Sequence, residues 1–382
     1  ERVHVMRRSP GNPVHLPGNR QLQSARAFED LWNHGFTPEI SIWWPSLFRD
    51  DNNDLRRDSE GNVVLTWGKD DLSETLRLLK EHYLEDTNRS PTLWLDAASI
   101  KDVGIFSGDP KGSSNDWTPN DTKSWLKAVE TRFGPQGAGF EKIYLHASAE
   151  ESHYRESGNK LGASWHAWLD FFSDVRFSRE DNDSPHVFSV HSFNTAEGQA
   201  AALDRDVDLP AIGMFHGIQG SAKTQIDQAR TREQPFLFYG LQGRMVPGFY
   251  LWKSGANGSF NEFYGRFEGA LNNDWDSRVR LNSRGLATAG LSESPGLSSA
   301  VYSNSGRMIG SWYWEEIREG VDDDAYMNTL QHWIDRTEND TRLNVMTARE
   351  AALATLAFIE SEIDLDEIGQ LDSEKAKADR KL

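Results

Sequence analysis

Ionisable side chains follow a short apolar run near the middle of the sequence. The run from Ile143 to Leu145 is β-branched, aromatic and aliphatic, and Gly and Pro residues precede it, so it predicts a short buried strand. His146, Ser148, Glu150 and Glu151 come directly after this run. In a barrel of parallel strands, the loops after the strands line one open mouth and carry the chemistry. Glu150 is therefore our candidate catalytic acid.

Cleavage of a glycosidic bond is the chemistry that suits an acid at this place. That reaction passes through a cation-like sugar ring, so it needs a protonated acid on the leaving oxygen and negative charge or an internal nucleophile on the other side. Glu150 meets the first need if Glu151 or an apolar wall such as Trp252 keeps it protonated, because like charge and desolvation both oppose ionisation. Alternatively, Glu150 and Glu151 form an acidic helix N-terminus that the helix dipole favours.

Further polar and aromatic side chains lie at or just past the ends of other predicted strands. A barrel brings such ends to one rim, so their convergence indicates a single cleft. Any one of them alone is more typical of a structural hydrogen bond or a turn. The residues at these ends are Asp96, His146, His191, His216, Gln242, Trp252 and Lys253.

Each type of side chain suits a different part of a sugar site. Imidazoles can hydrogen-bond sugar hydroxyls or orient the acid, aromatic rings can stack on the sugar ring, and cations can face an anionic substituent. Asp96 is a second carboxylate for the catalytic pair. The candidate binding residues are His146, His191, His216 and Gln242 as polar groups, Tyr239, Trp252 and Trp44 as stacking rings, and Arg244 and Lys253 as cations.

Three of these residues also allow a metal interpretation. His146, His191 and His216 would supply three imidazoles to zinc and leave one coordination position open. Their spacing matches no short metal motif, and the nearby carboxylates and aromatic residues suit a sugar cleft as well. We therefore expect neither a metal nor a cofactor and keep a metal-dependent hydrolase as an alternative.

A regular alternation of helices and strands must position these residues. Each strand–helix–strand unit crosses over in the same hand, which makes the strands parallel. We therefore predict an α/β fold, a TIM-type (β/α)8 barrel over residues 1–365, followed by a charged tail over 366–382. The predicted strands are Glu39–Trp44, Ser90–Asp96, Ile143–Leu145, His186–Val190, Ala211–Phe215, Phe236–Tyr239 and Phe249–Trp252. The predicted helices are Leu22–Asn33, Leu72–Tyr83, Thr122–Phe133, Trp165–Val175, Gln225–Arg230 and a long helix through Trp333.

The charge balance limits the classes of partner. The chain has 41 basic and 59 acidic residues and a formal net charge of −18. This excess argues against a nucleic acid or an anionic membrane surface as the main partner. No apolar run approaches the roughly 20 residues that span a bilayer. Because the 14 Trp residues suit stacking on sugar rings, we expect a carbohydrate partner.

The cysteine count and the N-terminus bear on location. Cysteine is absent, which excludes disulfides and thiolate metal sites and fits either a cytosolic or a secreted protein. The N-terminus has no signal-peptide core, so an exported form would already have lost its signal. For an enzyme that degrades polysaccharides we expect an extracellular or periplasmic location.

Four motifs between Phe140 and Trp333 resemble one known family. They are Ser148–Glu151, Val207–Pro210, Gly248–Trp252 and Trp314–Asp323, and the last of them, with its Arg-Glu-Gly-x-Asp-Asp sequence, is the most specific. On these residues the chain resembles the catalytic barrel of family 123 glycoside hydrolases, which act as retaining β-N-acetylgalactosaminidases. The resemblance implies a (β/α) barrel, glycoside hydrolysis without a cofactor, and a mainly structural role for the last motif.

Ala149 departs from the family's pattern. In the family, an Asp before the catalytic Glu stabilises the substrate acetamido group while that group attacks the anomeric carbon, and the Glu protonates the leaving oxygen. The resemblance makes Glu150 the acid, but the side chain of Ala149 can neither accept a hydrogen bond nor carry charge. Three explanations stay open: an inactivating substitution, a divergence in which another carboxylate such as Asp96 takes the role, or a barrel that binds glycan without cleaving it.

Overall fold

The computed structural model shows an α/β protein built around parallel strands. It describes residues 3–8, 28–41, 44, 47, 50, 55–66, 76–81, 91–97, 119–148, 163–193, 207–213, 221–240, 244–264, 279–281, 287–289, 301–304, 307–310 and 312–365. The strands of the main sheet are β1 (Val3–Arg8), β2 (Phe36–Ser41), β3 (Thr92–Asp96), β4 (Lys142–Ser148), β5 (Val187–Phe193), β6 (Leu209–Gly213), β7 (Leu237–Tyr239) and β8 (Gly258–Tyr264).

The pairing of these strands gives the sheet its shape. Each strand pairs in parallel with the next one in the chain, and β8 pairs in parallel with β1. The parallel strands therefore curl around one interior. This arrangement confirms the predicted α/β class and the barrel-type organisation of parallel strands.

Helices connect most of the strands. They are α1 (Pro119–Phe133), α2 (Ala163–Glu180), α3 (Ser221–Thr231), α4 (Leu251–Ser254), α5 (Trp312–Arg336) and α6 (Leu343–Glu362), and residues 28–33 and 76–81 are also helical. A π-helical turn, Val246–Tyr250, leads into α4. Two antiparallel hairpins, β9 (Val279–Leu281) with β10 (Ala287–Ala289) and β11 (Val301–Asn304) with β12 (Arg307–Gly310), lie outside the main sheet. No helix in these ranges is long and apolar enough to cross a membrane.

Two hydrophobic clusters cover the two faces of the curled sheet. Successive side chains of a strand point to opposite faces, so each strand contributes to both clusters. On β3, Leu93 and Leu95 pack in the outer layer with the helices, whereas Trp94 belongs to the interior cluster. The other interior residues are Tyr144, Val190, Leu209, Ala211, Leu237, Tyr239 and Phe260. This alternation decides which polar side chains face the inside.

Two turns have clear local causes in the sequence. Gly35 ends the first helical segment with a φ of 78°, a left-handed conformation that glycine adopts without strain, and its N–H donates to the carbonyl oxygen of Trp32 at 2.9 Å. A second turn forms at residues 59–61. There the carboxylate of Asp58 accepts hydrogen bonds from the backbone N–H groups of Glu60 and Asn62, both at 2.9 Å.

The predicted strand Phe249–Trp252 is wrong, because these residues belong to the π-helical turn and to α4. Pro247 near the start of this turn suits a helix and cannot donate within a ladder. The turn packs closely on α5: a β-carbon on Gly320 would lie 2.4 Å from the carbonyl oxygen of Arg244. The strand that completes the sheet is β8, in a stretch for which no strand is predicted from the sequence.

The bounds of several strands also differ from prediction. β2 begins at Phe36 and ends at Ser41, earlier than the predicted Glu39–Trp44. β4 does not stop after Leu145 but continues through His146 to Ser148. β5 likewise runs past His191 to Phe193. In each case polar residues lie inside a strand, because ladder hydrogen bonds satisfy the backbone whatever side chain it carries.

Candidate functional site

A carboxylate and an imidazole meet in the interior of the sheet. Nδ1 of His146, on β4, lies 2.8 Å from Oε1 of Glu39, on β2. Both side chains are 0% exposed. An ionised carboxylate can only accept a hydrogen bond, so Nδ1 of His146 carries the hydrogen when Glu39 is charged. The two residues are 107 positions apart in the sequence.

The alternation of β4 places His146 on the inner face. Tyr144, two residues earlier, packs in the interior cluster, and the His146 ring lies 3.9 Å from the ring of Phe260, centroid to centroid. Tyr239, the last residue of β7, stacks on the same Phe260 ring at 6.0 Å. His146 and Tyr239, both predicted from the sequence, therefore lie around one aromatic ring inside the barrel.

Asp96 adds a second carboxylate beside this pair. It is the last residue of β3, it is the register partner of His146 on β4 and of Ser41 on β2, and it is 5% exposed. Trp94 is an interior residue, so alternation puts Asp96 on the inner face as well. Consecutive strands β2, β3 and β4 thus contribute Glu39, Asp96 and His146 to one side of the sheet near its carboxyl end.

Tyr144 shows how strongly this interior disfavours charge. Burial raises the pKa of its hydroxyl to about 12, with a further contribution from the nearby negative charge of Asp208, which the guanidinium of Arg179 opposes. Its ring stacks on Trp94 at 4.3 Å. The interior is therefore a low-dielectric environment, in which an ionisable group needs a specific partner.

His191 lies on the other face of the sheet. Ladder partners point to the same side, and His146 is paired with Val190 whereas His191 is paired with Ala147. The His191 ring accordingly packs against Phe172 of α2, at 4.9 Å in the outer layer. The prediction that His191 and His146 line the same cleft is wrong.

The same geometry separates the proposed zinc ligands. His146 and His191 face opposite sides of the sheet, so they cannot hold one ion together with His216. Within the part of the chain that the structure describes, no group of three or more His, Asp and Glu residues could hold a metal ion.

Two predicted binding residues, Trp252 and Lys253, lie on the outside, because their segment is helical. Nζ of Lys253 donates to the carbonyl oxygens of Glu360 and Ile363 at the end of α6, a helix terminus that favours a cation. Trp252 is half-buried between the outer core and the α5–α6 contact. A role of Lys253 or Trp252 at the rim of the barrel is therefore contradicted.

Arg244 also makes its contacts outside the sheet, with α5. Its guanidinium donates to both carboxylate oxygens of Asp323, at 2.5 and 2.7 Å, and these hydrogen bonds raise the pKa of Arg244. Asp323 ends the Arg-Glu-Gly-x-Asp-Asp sequence, and Gly320 within it allows the close approach of α5 to the π-helical turn. This agrees with the structural role expected for the motif.

Trp44 is a core residue and not a surface for stacking. It is fully buried, its indole N–H donates to the carbonyl oxygen of Asp96 at 2.7 Å, and its ring meets Trp125 of α1 edge to face at 5.2 Å. No face of the ring is left for a sugar. Trp44 instead fixes the backbone at the end of β3, where Asp96 lies.

Four predicted site residues lie outside the described residues. They are Ala149, Glu150, His216 and Gln242. Ala149 and Glu150 are the two residues that follow β4 directly, since β4 ends at Ser148. Their roles stay predictions.

Glu39 is a site residue that is not predicted from the sequence. The predicted strand begins at Glu39, whereas Glu39 lies inside β2 with Ile40 buried in the outer layer beside it. A signal was present, because a carboxylate flanked by strand-forming residues must find a partner if the strand is buried. His146 was predicted as a site residue, but nothing in the sequence indicates that Glu39 and His146 are in contact.

No protein-family model matches the sequence, and no curated protein matches it significantly.

Proposed function

We propose that the chain is a glycoside hydrolase on a TIM-type (β/α)8 barrel, with Glu150 as the general acid and a carbohydrate as substrate. The observation that carries this proposal is the set of buried ionisable side chains, Glu39, Asp96 and His146, that β2, β3 and β4 bring to the inner face. In parallel barrels this end of the strands is the catalytic end. The strand that carries His146 leads within two residues to Glu150.

The requirements of the reaction determine the proposed roles of the residues. Glu150 protonates the leaving oxygen, and a carboxylate on the other side stabilises the cation-like ring or the group that attacks it. Ala149 occupies the place at which the resembling family carries that second carboxylate. Asp96 is the first candidate to replace it, because it is a buried carboxylate at the end of β3, beside the strand that leads to Glu150. The proposed reaction needs no cofactor.

Activity on a panel of aryl glycosides tests the proposal, with the chain compared to its Ala149→Asp variant. We expect hydrolysis in the Asp variant, and its loss when Glu150→Gln is added. Equal activity in the two proteins, abolished by Asp96→Asn, would assign the stabilising role to Asp96. Activity that survives Glu150→Gln on every glycoside would contradict the assignment of the acid, and silence of every version would contradict the function.

Ala149 itself favours a second candidate, a barrel that binds carbohydrate without cleaving it. A missing stabilising carboxylate removes turnover but leaves the polar and aromatic groups that hold a sugar. The two candidates differ in the effect of Glu150→Gln on glycan affinity, measured by calorimetry. A binding protein should keep its affinity within a few-fold and show no hydrolysis after Ala149→Asp.

A further inference from the structure

Helix α6 carries apolar side chains on two faces, one buried and one exposed. On the first face, Ala352 and Leu356 are buried in a cluster with residues of α5. On the second, Leu343 and Phe358 are 78% and 64% exposed, and other large apolar side chains are exposed between them. A helix that is apolar all round is ordinarily buried on all sides. The exposed face of α6 therefore has the composition of a covered surface.

Exposed apolar side chains are concentrated in this part of the molecule. Of the eight large apolar side chains that are exposed in the described residues, six lie on α5 and α6. They are Tyr326 and Trp333 on α5, and Leu343, Met346, Leu353 and Phe358 on α6. Single exposed apolar residues are normal on a monomer, whereas a group of them marks an interaction surface.

Helical spacing joins the exposed apolar side chains of α6 into one stripe. With about 3.6 residues per turn, the four large ones lie within about 140° of the helix circumference, opposite Ala352 and Leu356. Two exposed alanines lie among them, and their short side chains let a second helix approach closely. The outer stripe consists of Leu343, Met346, Leu353, Ala354, Ala357 and Phe358, with Glu350 as a charged residue among them.

The charges at the two ends of α6 fit an antiparallel copy of the same helix. Arg342 directly precedes α6 and Glu360 lies in its last turn, eighteen residues or about five turns further on, so both lie on the same flank of the outer stripe. A two-fold axis across the helix brings the same flank of two copies together in opposite directions. Arg342 of each copy then meets Glu360 of the other, whereas a parallel pair would bring like charges together.

Both charged groups are accessible for this contact. Arg342 is 73% exposed, and it holds Asp340 through Nε and Nη2, which leaves the Nη1 donors. The side chain of Glu360 is exposed as well. In an antiparallel pair the dipoles of the two helices also oppose each other, which is the favourable arrangement.

We propose that the outer stripe of α6 is the interface of a two-fold dimer, in which α6 packs antiparallel on α6 of a second copy. The large apolar side chains become buried there, and the two Arg342–Glu360 contacts fix the direction. Glu350 lies near the axis and comes close to Glu350 of the second copy, and this repulsion keeps the dimer weak and reversible. The inference concerns a different part of the molecule from the proposed glycosidase site and does not depend on it.

Sedimentation equilibrium of the chain over a range of protein concentrations tests the dimer, and we expect a monomer–dimer equilibrium. Phe358→Glu places a charge in the interface and should raise the dissociation constant at least about tenfold. Phe177→Glu is the matched control, because Phe177 lies on α2 and is 54% exposed, and it should leave the constant unchanged. Both substitutions lie on the surface, so thermal melting should show both variants folded.

Exchange of the end charges tests the antiparallel direction. Arg342→Glu alone or Glu360→Arg alone places like charges opposite each other and should raise the dissociation constant several-fold. The two substitutions together recreate opposite charges across the axis and should restore it. Glu350→Gln removes the repulsion near the axis and should lower the constant.

Each outcome supports or overturns the inference. A chain that is monomeric at every concentration overturns it and leaves the outer stripe to a different protein. A dimer that is weakened equally by Phe358→Glu and Phe177→Glu, or by neither, overturns the assignment of the interface to α6. A double charge variant that is weaker than either single variant overturns the antiparallel arrangement.

Discussion

The Glu130–His186 and Glu39–His146 pairs have nearly the same hydrogen-bond length and opposite surroundings. Glu130 and His186 meet at 2.6 Å between a helix and the start of a strand, where the imidazole is 36% exposed. Glu39 and His146 meet at 2.8 Å between two strands, and neither side chain is exposed. The first pair also binds backbone, since the N–H of His186 donates to Glu130 at 3.1 Å.

The difference indicates a structural role for the exposed pair and a place in the candidate site for the buried pair. Solvent screens the exposed pair, and a pair of this kind contributes little to stability beyond holding a connection in place. The buried pair lies where desolvation is costly, beside Asp96 and on the strand that leads to Glu150. Buried ionisable groups with specific partners in such a place are typical of functional sites.

The largest expected difference between the pairs concerns loss of the imidazole. His146→Ala removes the imidazole that binds the fully buried carboxylate of Glu39 and should lower the free energy of unfolding by roughly 3–5 kcal/mol. His186→Ala leaves Glu130 with access to water and should cost less than about 1 kcal/mol. Urea unfolding followed by circular dichroism measures both. Equal losses of unfolding free energy in the two variants would contradict the placement of the Glu39–His146 pair in the interior.

Alkaline unfolding tests the interior through Tyr144. Burial raises the pKa of Tyr144 from the ordinary 10.0 to about 12, so below pH 10 the hydroxyl is neutral in the folded and in the unfolded chain. Between pH 10 and 12 the unfolded chain loses this proton first, and stability falls by at most about 2.7 kcal/mol. Tyr144→Phe should remove that part of the pH dependence. The control Tyr326→Phe changes a side chain that is 74% exposed and should leave the curve unaltered.

The smallest expected difference is the coupling energy within each pair. A double-mutant cycle with Glu39→Gln and His146→Gln should give about 1.5 kcal/mol or more, because the interaction lies in a medium of low dielectric. The cycle with Glu130→Gln and His186→Gln should give less than about 1 kcal/mol, and 1 M salt should reduce it further. A coupling in the buried pair that salt abolishes would show that water reaches it.

Sequence reasoning found the class of fold because local patterns were consistent. The apolar strand before Asp96 and the helix at Thr122–Phe133 occur close to their predicted bounds, and the strand predicted at Ile143–Leu145 is present but continues to Ser148. It failed at Phe249–Trp252, where contact with α5 overrides the strand preference of aromatic residues. It also missed β1 and β8, whose compositions carry no strong strand signal.

The site was predictable only in part, for a reason of geometry. His146, Asp96 and Tyr239 are located correctly as residues near strand ends on the inner face. His191 was assigned to the wrong face of the sheet, because a position near a strand end does not determine the face on which a side chain lies. A shift of one residue along a strand moves the side chain to the opposite face. To predict that Glu39 meets His146, one must know that β2 and β4 both pair with β3. A single sequence does not show this strand order.

The dependence of hydrolysis on the leaving group tests the central claim, that Glu150 is the acid of a glycosidase site at this end of the barrel. In the Ala149→Asp background, Glu150→Gln should slow cleavage of a phenyl glycoside about 10²–10⁴-fold. Cleavage of the dinitrophenyl glycoside should stay within about tenfold, because that leaving group departs without a proton. Equal loss on both substrates, or loss on neither, would contradict the account.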